Sequence, residues 1–262
     1  MTAYIDSYYT HTLKDGNERP SLREDIETDV CIIGGGLAGM ATAMGLVERG
    51  KKVVVLEGRR IGWGASGRNG GFVLSGFAAT EKEIIQRVGK DNARALYSLT
   101  KDALKTIKKR ISDYNIPCDP VSGHLVCSWY NDPEYMKDRV QTLRDNCDAN
   151  VEFWHRDKVR DICRTDRYYD GFFYPDSFHM HPLNYLMGLA RAIESKGGWI
   201  FESTMALSLY ETPSGLTVKT EKGTVKAHDV VFCGSAYFNG MEKKLSRACL
   251  PISTYVMVTE PI

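Results

Sequence analysis

Residues 29–43, with the sequence DVCIIGGGLAGMATA, constrain the fold of this chain more than any other stretch. An apolar, β-branched run, Val30–Ile33, leads directly into the spacing Gly34-x-Gly36-x-x-Gly39. The following residues have a helical pattern, so the glycines lie where a strand gives way to a helix. This context predicts a tight strand–turn–helix connection, because glycines at this spacing carry little information without it.

The next residues complete one βαβ unit. A helix-like stretch from Leu37 to Arg49 is followed by Gly50, a residue type that commonly ends helices. Val53–Leu56 is typical of a second strand, and strands joined by a crossover helix are parallel. Glu57 follows this strand about 20 residues after the glycines, which is the spacing of the dinucleotide-binding fingerprint.

Each residue of this fingerprint has a chemical role. Gly34 permits the tight turn, Gly36 lets a diphosphate approach the backbone, and Gly39 lets the helix pack closely on the strand. The free N–H groups and the dipole at the start of the helix stabilise the phosphate charge. Glu57 can accept both hydroxyls of an adenosine ribose and would repel a 2′-phosphate, so NADP is disfavoured while NAD and FAD remain open.

A second glycine-rich stretch, IGWGASGRNGGF at 61–72, bears on the choice between NAD and FAD. Its backbone N–H groups and small side chains suit a segment that runs along the diphosphate and the edge of a flavin, which one βαβ unit is too short to reach. We therefore predict FAD, with a mobile surface loop and an NAD-linked dehydrogenase as alternatives. The candidate FAD contacts in this stretch are Ser66, Arg68, Asn69, Gly70 and Gly71.

Composition argues against several classes of protein. The formal net charge is +1, which gives no electrostatic attraction to nucleic acid or anionic lipid. Seven scattered cysteines without a CxxC pair indicate reduced thiols in a cytoplasmic protein. The uncharged stretch Val30–Val47 just reaches the length of a membrane span, but its glycines favour the strand–turn–helix interpretation. Residues 1–20 lack the pattern of a signal peptide.

Periodicity predicts further helices and strands elsewhere. Thr80 is expected to cap a helix that begins at Glu81, and a second helix with one apolar face follows. The residues of that apolar face are Leu96, Leu99, Ala103, Leu104, Ile107 and Ile111. Later helices are predicted at 132–147 and Leu183–Lys196. The predicted strands are 123–129, 171–181, Trp199–Glu202, Leu216–Thr220, Val225–Ala227, 229–235 and 253–262.

The stretch from 29 to 72 resembles the amino-terminal FAD-binding region of the D-amino-acid-oxidase-like flavoproteins. That family includes glycine oxidase, sarcosine oxidase and gamma-glutamylputrescine oxidoreductase. GASGRNGG after the acidic strand, and HMHPLNYLMGLARAIESKGG at 179–198, resemble the last of these subgroups. SYYT near the start and PISTYVMVTEPI at the end also fit it, whereas the carboxy-terminal third of the family is not represented.

The resemblance implies an α/β fold. A Rossmann-like FAD-binding domain, with a parallel sheet and crossover helices, would be interleaved with an α+β substrate domain that is incomplete at its carboxyl end. The resemblance also implies FAD contacts at Ala206 and Gly234, with Ser235 nearby. The expected divisions are an amino-terminal arm at 1–27, an FAD-binding domain at 28–80 and 182–240, and a partial substrate domain at 81–181 and 241–262.

The reaction implied by the resemblance is oxidation of the C–N bond of an amine or amino acid by hydride transfer to FAD, with imine hydrolysis and reoxidation by oxygen. Its partner would be a small-molecule amine, with gamma-glutamylputrescine in putrescine catabolism as the specific suggestion. FAD would carry the difficult step, and the sequence assigns no catalytic acid or base. A truncated, non-catalytic fragment of such an enzyme and an NAD-linked dehydrogenase remain as alternatives.

Five other residues invite a functional interpretation. His179 and His181 would share one face of a strand, where they can pack or line a substrate cavity, since a metal site needs a third ligand that the sequence does not identify. Tyr255 is expected to be a half-buried residue of the last strand or to face a substrate. Cys31 is expected in the core, and Trp63 either packs over the cofactor or shields the loop.

Overall fold

The computed structural model describes residues 3–213, 215–237 and 240–260, which form two compact units. The first unit includes the described residues of 1–27 and 241–262, which the sequence assigned to an arm and to the substrate domain. The functional assignment of the two units remains a prediction. The first unit comprises the described residues of Met1–Gly70, Ile111–Cys118 and His181–Ile262, and the second those of Gly71–Arg110 and Asp119–Met180.

Ten strands and eight helices lie within the described residues, and a short 3-10 helix covers Ala65–Gly67. The strands are β1 (Ile26–Ile33), β2 (Val53–Leu56), β3 (Phe72–Val73), β4 (Val121–Cys127), β5 (Glu152–Trp154), β6 (Gly171–His179), β7 (Trp199–Phe201), β8 (Ser208–Thr212), β9 (Gly215–Lys219) and β10 (Thr224–Phe232). The helices are α1 (Tyr8–His11), α2 (Leu37–Val47), α3 (Glu81–Val88), α4 (Lys90–Asp113), α5 (Pro133–Cys147), α6 (Arg156–Cys163), α7 (Pro182–Ser195) and α8 (Lys243–Ala248).

The first unit is built on a six-stranded sheet with the order β7-β2-β1-β10-β9-β8. Strands β7, β2, β1 and β10 are parallel, whereas β9 and β8 are antiparallel to their neighbours. In this sheet β2 lies on one side of β1, and β10, which comes much later in the chain, lies on the other side. The strand order therefore reverses between β1 and β10. Ligands of open α/β sheets bind outside the carboxyl ends of the strands at such a reversal.

Alternation along β1 explains how this sheet is packed. Cys31 and Ile33 join a buried cluster on one side of the sheet, which also contains Leu22. Ile32 faces the opposite side, where its side chain lies close to Gly39 in the first turn of α2. Both faces of β1 are therefore covered, and the prediction that Cys31 is a core residue is confirmed.

The second unit contains an antiparallel sheet in which β6 pairs with β3, β4 and β5. Tyr97 of α4 and Leu143 of α5 pack in one buried cluster with Phe172 of β6. The predicted cap of α3 is confirmed, because the Thr80 hydroxyl accepts a hydrogen bond from the Glu83 N–H at 3.3 Å. This unit thus has its own apolar core of helices packed on a sheet.

Two predictions of strands in the carboxyl-terminal part of the chain are wrong. The last strand is absent from 253–260, because this exposed segment has no partner strand within the described residues; Pro261 and Ile262 lie outside them. The two strands predicted between 225 and 235 form the single strand β10, because β1 pairs with it from Val225 to Phe232.

The apolar face predicted for α4 is confirmed in part, because Leu104 is buried and Ile107 and Ile111 are half-buried. Leu99 is instead 65% exposed, and Tyr97, which the prediction left out, is buried.

Three general features of the described residues bear on function. None of their helices is long and apolar enough to cross a membrane. They contain no group of three or more His, Cys, Asp or Glu residues placed to bind a metal ion. All seven cysteines are free thiols.

Candidate functional site

The carboxyl ends of the four parallel strands lie in one row. Ile33 pairs with Leu56 on one side and with Phe232 on the other. Leu56 in turn pairs with Phe201. The residues that follow the strand ends are therefore neighbours along one edge of the sheet. They are Gly34, Glu57, Glu202 and Cys233.

Gly34 lies at the point where the strand order reverses. Its φ of +114° is in the region that favours glycine, and a Cβ there would lie 2.5 Å from the carbonyl oxygen of Cys233. A Cβ on Gly39 would overlap the carbonyl oxygen of Gly34. The close strand–turn–helix packing predicted from the fingerprint thus depends on glycine at both positions.

The first turn of α2 is placed to bind an anion. Gly36 is the N-cap residue and has no side chain to satisfy the free N–H groups. The Leu37 N–H donates to the Ser66 hydroxyl at 3.0 Å, and Ala38 is exposed. A Cβ on Gly36 would lie 2.8 Å from the same hydroxyl oxygen. Ser66 and the first-turn N–H groups therefore border the place where a diphosphate would bind.

Glu57 is held beside this turn by two backbone hydrogen bonds. Its Oε2 accepts from the Gly35 N–H at 2.7 Å, and its Oε1 accepts from the Arg59 N–H at 2.8 Å. Burial raises the pKa of Glu57 above its ordinary value, although these two donors act in the opposite direction. Each carboxylate oxygen has a further lone pair, so the group can still accept a ribose hydroxyl.

The second glycine-rich stretch folds back onto the first. The Gly62 N–H donates to the carbonyl oxygen of Gly35 at 3.0 Å. Gly67 packs against Gly62 so closely that a Cβ would overlap the Gly62 carbonyl oxygen. This contact places Ser66, within the 3-10 helix, over the start of α2. Gly67 is therefore needed for packing against protein backbone.

Arg68, Asn69 and Gly70 line one wall of a cleft of about 930 Å³ in the first unit. The Arg68 Nε donates to two carbonyl oxygens of its own segment, at 3.2 Å each. The Asn69 side chain donates to the Ser66 carbonyl oxygen at 2.9 Å. Both side chains thus shape the turn that carries them, and their contact with FAD remains a prediction.

The other walls of the cleft come from distant parts of the chain. They are formed by residues 5–9, Tyr237 and most of residues 252–260. Tyr255 is 89% exposed and lies in no strand, so the prediction of a half-buried sheet residue is wrong. Trp63 packs edge-on against Tyr237, with ring centroids 6.1 Å apart, which favours the shielding role that the sequence left open.

Two of the remaining candidate contacts lie near the turn. Gly234 follows β10, and a Cβ on Gly34 would lie 3.1 Å from its nitrogen. Ala206 lies in the connection between β7 and β8, which runs beside Glu57. In that connection the Thr204 N–H donates to the Glu57 carbonyl oxygen at 2.8 Å. The structure therefore brings these segments together, and their contact with FAD remains a prediction.

Gly71, the last candidate contact, belongs to the second unit. Its φ is +71°, and a Cβ there would overlap the carbonyl oxygen of Met180. The Met180 N–H also donates to the Gly71 carbonyl oxygen at 3.0 Å. Backbone packing therefore requires glycine at this position, and a role in FAD binding remains a prediction.

The two histidines do not share a strand face, contrary to the prediction. His179 is the exposed last residue of β6, whereas His181 is the buried N-cap of α7. Pro182, a residue favoured at the first helical position, begins α7 and so takes His181 out of the strand. The His181 Nδ1 accepts from the Asn184 N–H at 3.0 Å, and its Nε2 lies 3.0 Å from the Thr12 hydroxyl. His181 is thus a structural cap.

A buried ion pair at the sheet edge was missed by the sequence analysis. Glu202 directly follows β7 and is 1% exposed, and its carboxylate accepts from the Arg60 Nε at 2.9 Å. It also accepts from the backbone N–H groups of Arg19, at 2.9 Å, and Ile61, at 2.7 Å. These bonds fix the start of the second glycine-rich stretch. An acid just after a strand was visible in the sequence, but its partners were not.

Known proteins share this sequence pattern. Residues 29–262 match the family described as FAD dependent oxidoreductase, DAO. The probable oxidoreductase OrdL of Haemophilus influenzae is 34% identical, over 99% of this chain and 62% of that protein. Gamma-glutamylputrescine oxidoreductase of Escherichia coli is also 34% identical, over 99% of this chain and 61% of that protein. The chain therefore spans about three fifths of the length of these two relatives.

Solved structures share the fold. Glycine oxidase from Geobacillus kaustophilus gives a TM-score of 0.68 at 19% identity, with 84% of this chain and 58% of that chain covered. L-proline dehydrogenase from P. horikoshii gives a TM-score of 0.68 at 21% identity, with 83% and 55% covered. Together with the parallel sheet and its crossover helices, these similarities confirm the predicted α/β fold class.

Proposed function

This chain belongs to the DAO family of FAD-dependent oxidoreductases, and we propose that it oxidises the C–N bond of an amine or amino acid with bound FAD. One observation carries the proposal. The first turn of α2, whose N-cap is Gly36, and the Glu57 carboxylate lie side by side at the edge of a parallel sheet, where the strand order reverses. That arrangement binds the diphosphate and the ribose of a dinucleotide.

The described residues fit FAD. Gly36 adds no side chain at the start of α2, and the Ser66 hydroxyl, which accepts from the Leu37 N–H, borders the space that a side chain there would fill. Glu57 has the acceptor capacity that a ribose requires. The cleft beside Arg68 has a volume of about 930 Å³. This volume lies within the range of about 300–1,000 Å³ that is typical of small-molecule sites.

When bound, FAD would supply the acceptor for the hydride of a C–H bond next to the amine nitrogen, leaving an imine that water hydrolyses. The residues of this chain would hold and orient the reactants. The first turn of α2 would bind the diphosphate, Glu57 the ribose, and the backbone of residues 66–70 the edge of the flavin. The walls of the cleft would position the amine and exclude water.

The finer proposal is that the amine is gamma-glutamylputrescine, with reoxidation by oxygen and a role in putrescine catabolism. Its support is the 34% identity to the E. coli protein that carries this substrate in its name. The free thiols support a cytoplasmic location as part of the same proposal.

The test is reconstitution followed by reduction with substrate. We expect the purified protein, incubated with FAD and passed through a desalting column, to retain the absorbance of oxidised flavin. Anaerobic addition of gamma-glutamylputrescine should bleach it, with glycine, sarcosine and L-proline as competing candidates. FAD that is retained but bleached by no amine would contradict amine oxidation. Retention of NAD in place of FAD would contradict the cofactor.

A further inference from the structure

Residues 3–19, the amino-terminal segment, contact the second glycine-rich stretch near its start and toward its end. Three of these contacts are hydrogen bonds to or from tyrosine and tryptophan side chains, and they lie at both ends of the stretch. The pairs are Tyr4 hydroxyl to Ile61 carbonyl at 2.8 Å, Trp63 Nε1 to Ala3 carbonyl at 3.1 Å, and Tyr9 hydroxyl to Asn69 carbonyl at 2.6 Å.

The Tyr9 contact continues to the start of α2 through a chain of hydrogen bonds. The Tyr9 hydroxyl donates to the carbonyl oxygen of Asn69, and the Asn69 side chain donates to the carbonyl oxygen of Ser66 at 2.9 Å. The Ser66 hydroxyl then accepts from the Leu37 N–H at 3.0 Å. The position of Ser66 on the first turn of α2 is therefore linked to the Tyr9 hydroxyl.

Tyr9 is itself held in place. Its ring packs edge-on against His181, with centroids 5.0 Å apart. His181 in turn is fixed by the Asn184 N–H and the Thr12 hydroxyl, at 3.0 Å each. Burial, together with the neighbouring Tyr8, raises the pKa of Tyr9 and so keeps its hydroxyl a donor. The Tyr9 hydroxyl is therefore held in position to donate to the carbonyl oxygen of Asn69.

We propose that Tyr9 is a positioning residue for the cofactor. Its hydroxyl holds the turn from Ala65 to Asn69 in the conformation that places Ser66 at the diphosphate site. Tyr9 acts through Asn69 and needs no contact with FAD. The inference rests on the proposed function, because it concerns the cofactor of the same site. A binding site is most effective when such supporting contacts fix the residues that touch the ligand.

The test compares Tyr9→Phe with Tyr210→Phe. Tyr210 is the matched control because it lies on β8 outside the cleft, is 45% exposed and makes no hydroxyl hydrogen bond within the described residues. We expect Tyr9→Phe to raise the dissociation constant for FAD by about threefold to tenfold, which is the effect of one lost hydrogen bond. Tyr210→Phe should leave the dissociation constant unchanged. Quenching of flavin fluorescence during titration measures both.

A second readout needs no flavin. In the FAD-free protein, hydrogen exchange at the Arg68 amide, which donates to the Ala65 carbonyl oxygen at 3.1 Å, should accelerate in Tyr9→Phe only. In a Ser66→Ala background, Tyr9→Phe should add little to the loss of FAD affinity, because both changes act on one chain of contacts.

Two results would overturn the inference. One is equal FAD affinity of the wild type and Tyr9→Phe, and a lower thermal midpoint of the FAD-free variant beside it would leave Tyr9 a purely structural role. The other is a fully additive loss of FAD affinity when Tyr9→Phe is combined with Ser66→Ala. A wild type that binds no FAD would instead overturn the proposed function, while hydrogen exchange would still report whether Tyr9 holds the turn.

Discussion

The Glu57 carboxylate lies 2.7 Å from the Gly35 nitrogen, where the adjacent parallel strands β1 and β2 end. Burial, with a smaller effect of the neighbouring Glu202, raises the pKa of Glu57 above its ordinary value of 4.5. The N–H groups of Gly35 and Arg59 oppose this shift. The hydroxyls of a ribose bound here would donate further hydrogen bonds to the charged form of Glu57. Binding of FAD and loss of a proton from Glu57 are therefore linked.

We expect FAD affinity to rise with pH. The ribose hydroxyls lower the pKa of Glu57 in the complex, so FAD binds the deprotonated protein more tightly. The dissociation constant should fall by up to about tenfold per pH unit as the pH rises toward the raised pKa of Glu57, and it should level off above that pKa. Fluorescence titration across this pH range measures the dissociation constant.

Two variants test the assignment of this pH dependence to Glu57. Glu57→Gln keeps the shape of the side chain and should give weaker binding that no longer changes with pH in this range. Glu57→Arg should abolish FAD retention, because it removes the acceptor and places a bulky cation in its position. Retention of FAD by Glu57→Arg would show that the ribose lies elsewhere.

Gly39→Ala and Gly36→Ala should separate folding from cofactor binding. A methyl group on Gly39 would overlap the carbonyl oxygen of Gly34, and backbone cannot move away easily, so we expect a loss of about 1–3 kcal/mol in the free energy of unfolding. A methyl group on Gly36 would meet only the Ser66 hydroxyl, which can rotate. Gly36→Ala should therefore fold normally and bind FAD weakly. Urea unfolding and FAD titration measure the two effects, and equal losses of stability would contradict the distinction.

Thiol labelling tests the packing of the parallel sheet. Cys31 is fully buried in β1, and burial raises the pKa of its thiol to about 12. Because the thiolate is the reactive form, Cys31 should resist alkylation in the native protein and react only in denaturant. Cys249 is exposed and should react first. Mass spectrometry of labelled peptides resolves the two sites. Rapid labelling of native Cys31 would mean that the sheet is not packed as described.

The βαβ unit could be predicted because its signals are local. The apolar runs, the glycine spacing and the acid after the second strand all lie within 30 residues of sequence. The first strand nevertheless begins at Ile26, earlier than its apolar run, because Ile26 pairs with Val225 of β10. Because Val225 is so distant in sequence, the apolar run Val30–Ile33 gives no sign of this pairing.

Elements that depend on distant partners were missed or misplaced. Helix α6 is only eight residues long, is polar overall and buries Val159 alone, so its apolar signal is too short to predict a helix. The segment 253–260 has the composition of a strand, but a strand forms only where another strand pairs with it. Tyr97 belongs to the buried side of α4 because it joins a cluster formed with α5 and β6, which are distant in sequence.

The candidate FAD site could likewise be predicted only where its residues are close together in the sequence. The fingerprint glycines and Glu57 could be assigned from spacing alone. The contact between Tyr9 and Asn69 joins residues 60 positions apart, and the pair of Arg60 and Glu202 joins residues 142 positions apart. Only the folded chain shows that these contacts hold the second glycine-rich stretch.

Glu202→Gln should strongly destabilise the first unit. The Arg60 side chain is 7% exposed, and the substitution would remove the buried charge that pairs with it. Breaking a buried ion pair from one side costs about 3–5 kcal/mol, which urea unfolding would detect. FAD affinity should fall as well, because the Ile61 N–H loses its charged acceptor. Asp138→Asn is the control, since Asp138 and Lys82 form an exposed pair that contributes little. Equal stability of the two variants would show that the buried pair does not hold the glycine-rich stretch in place.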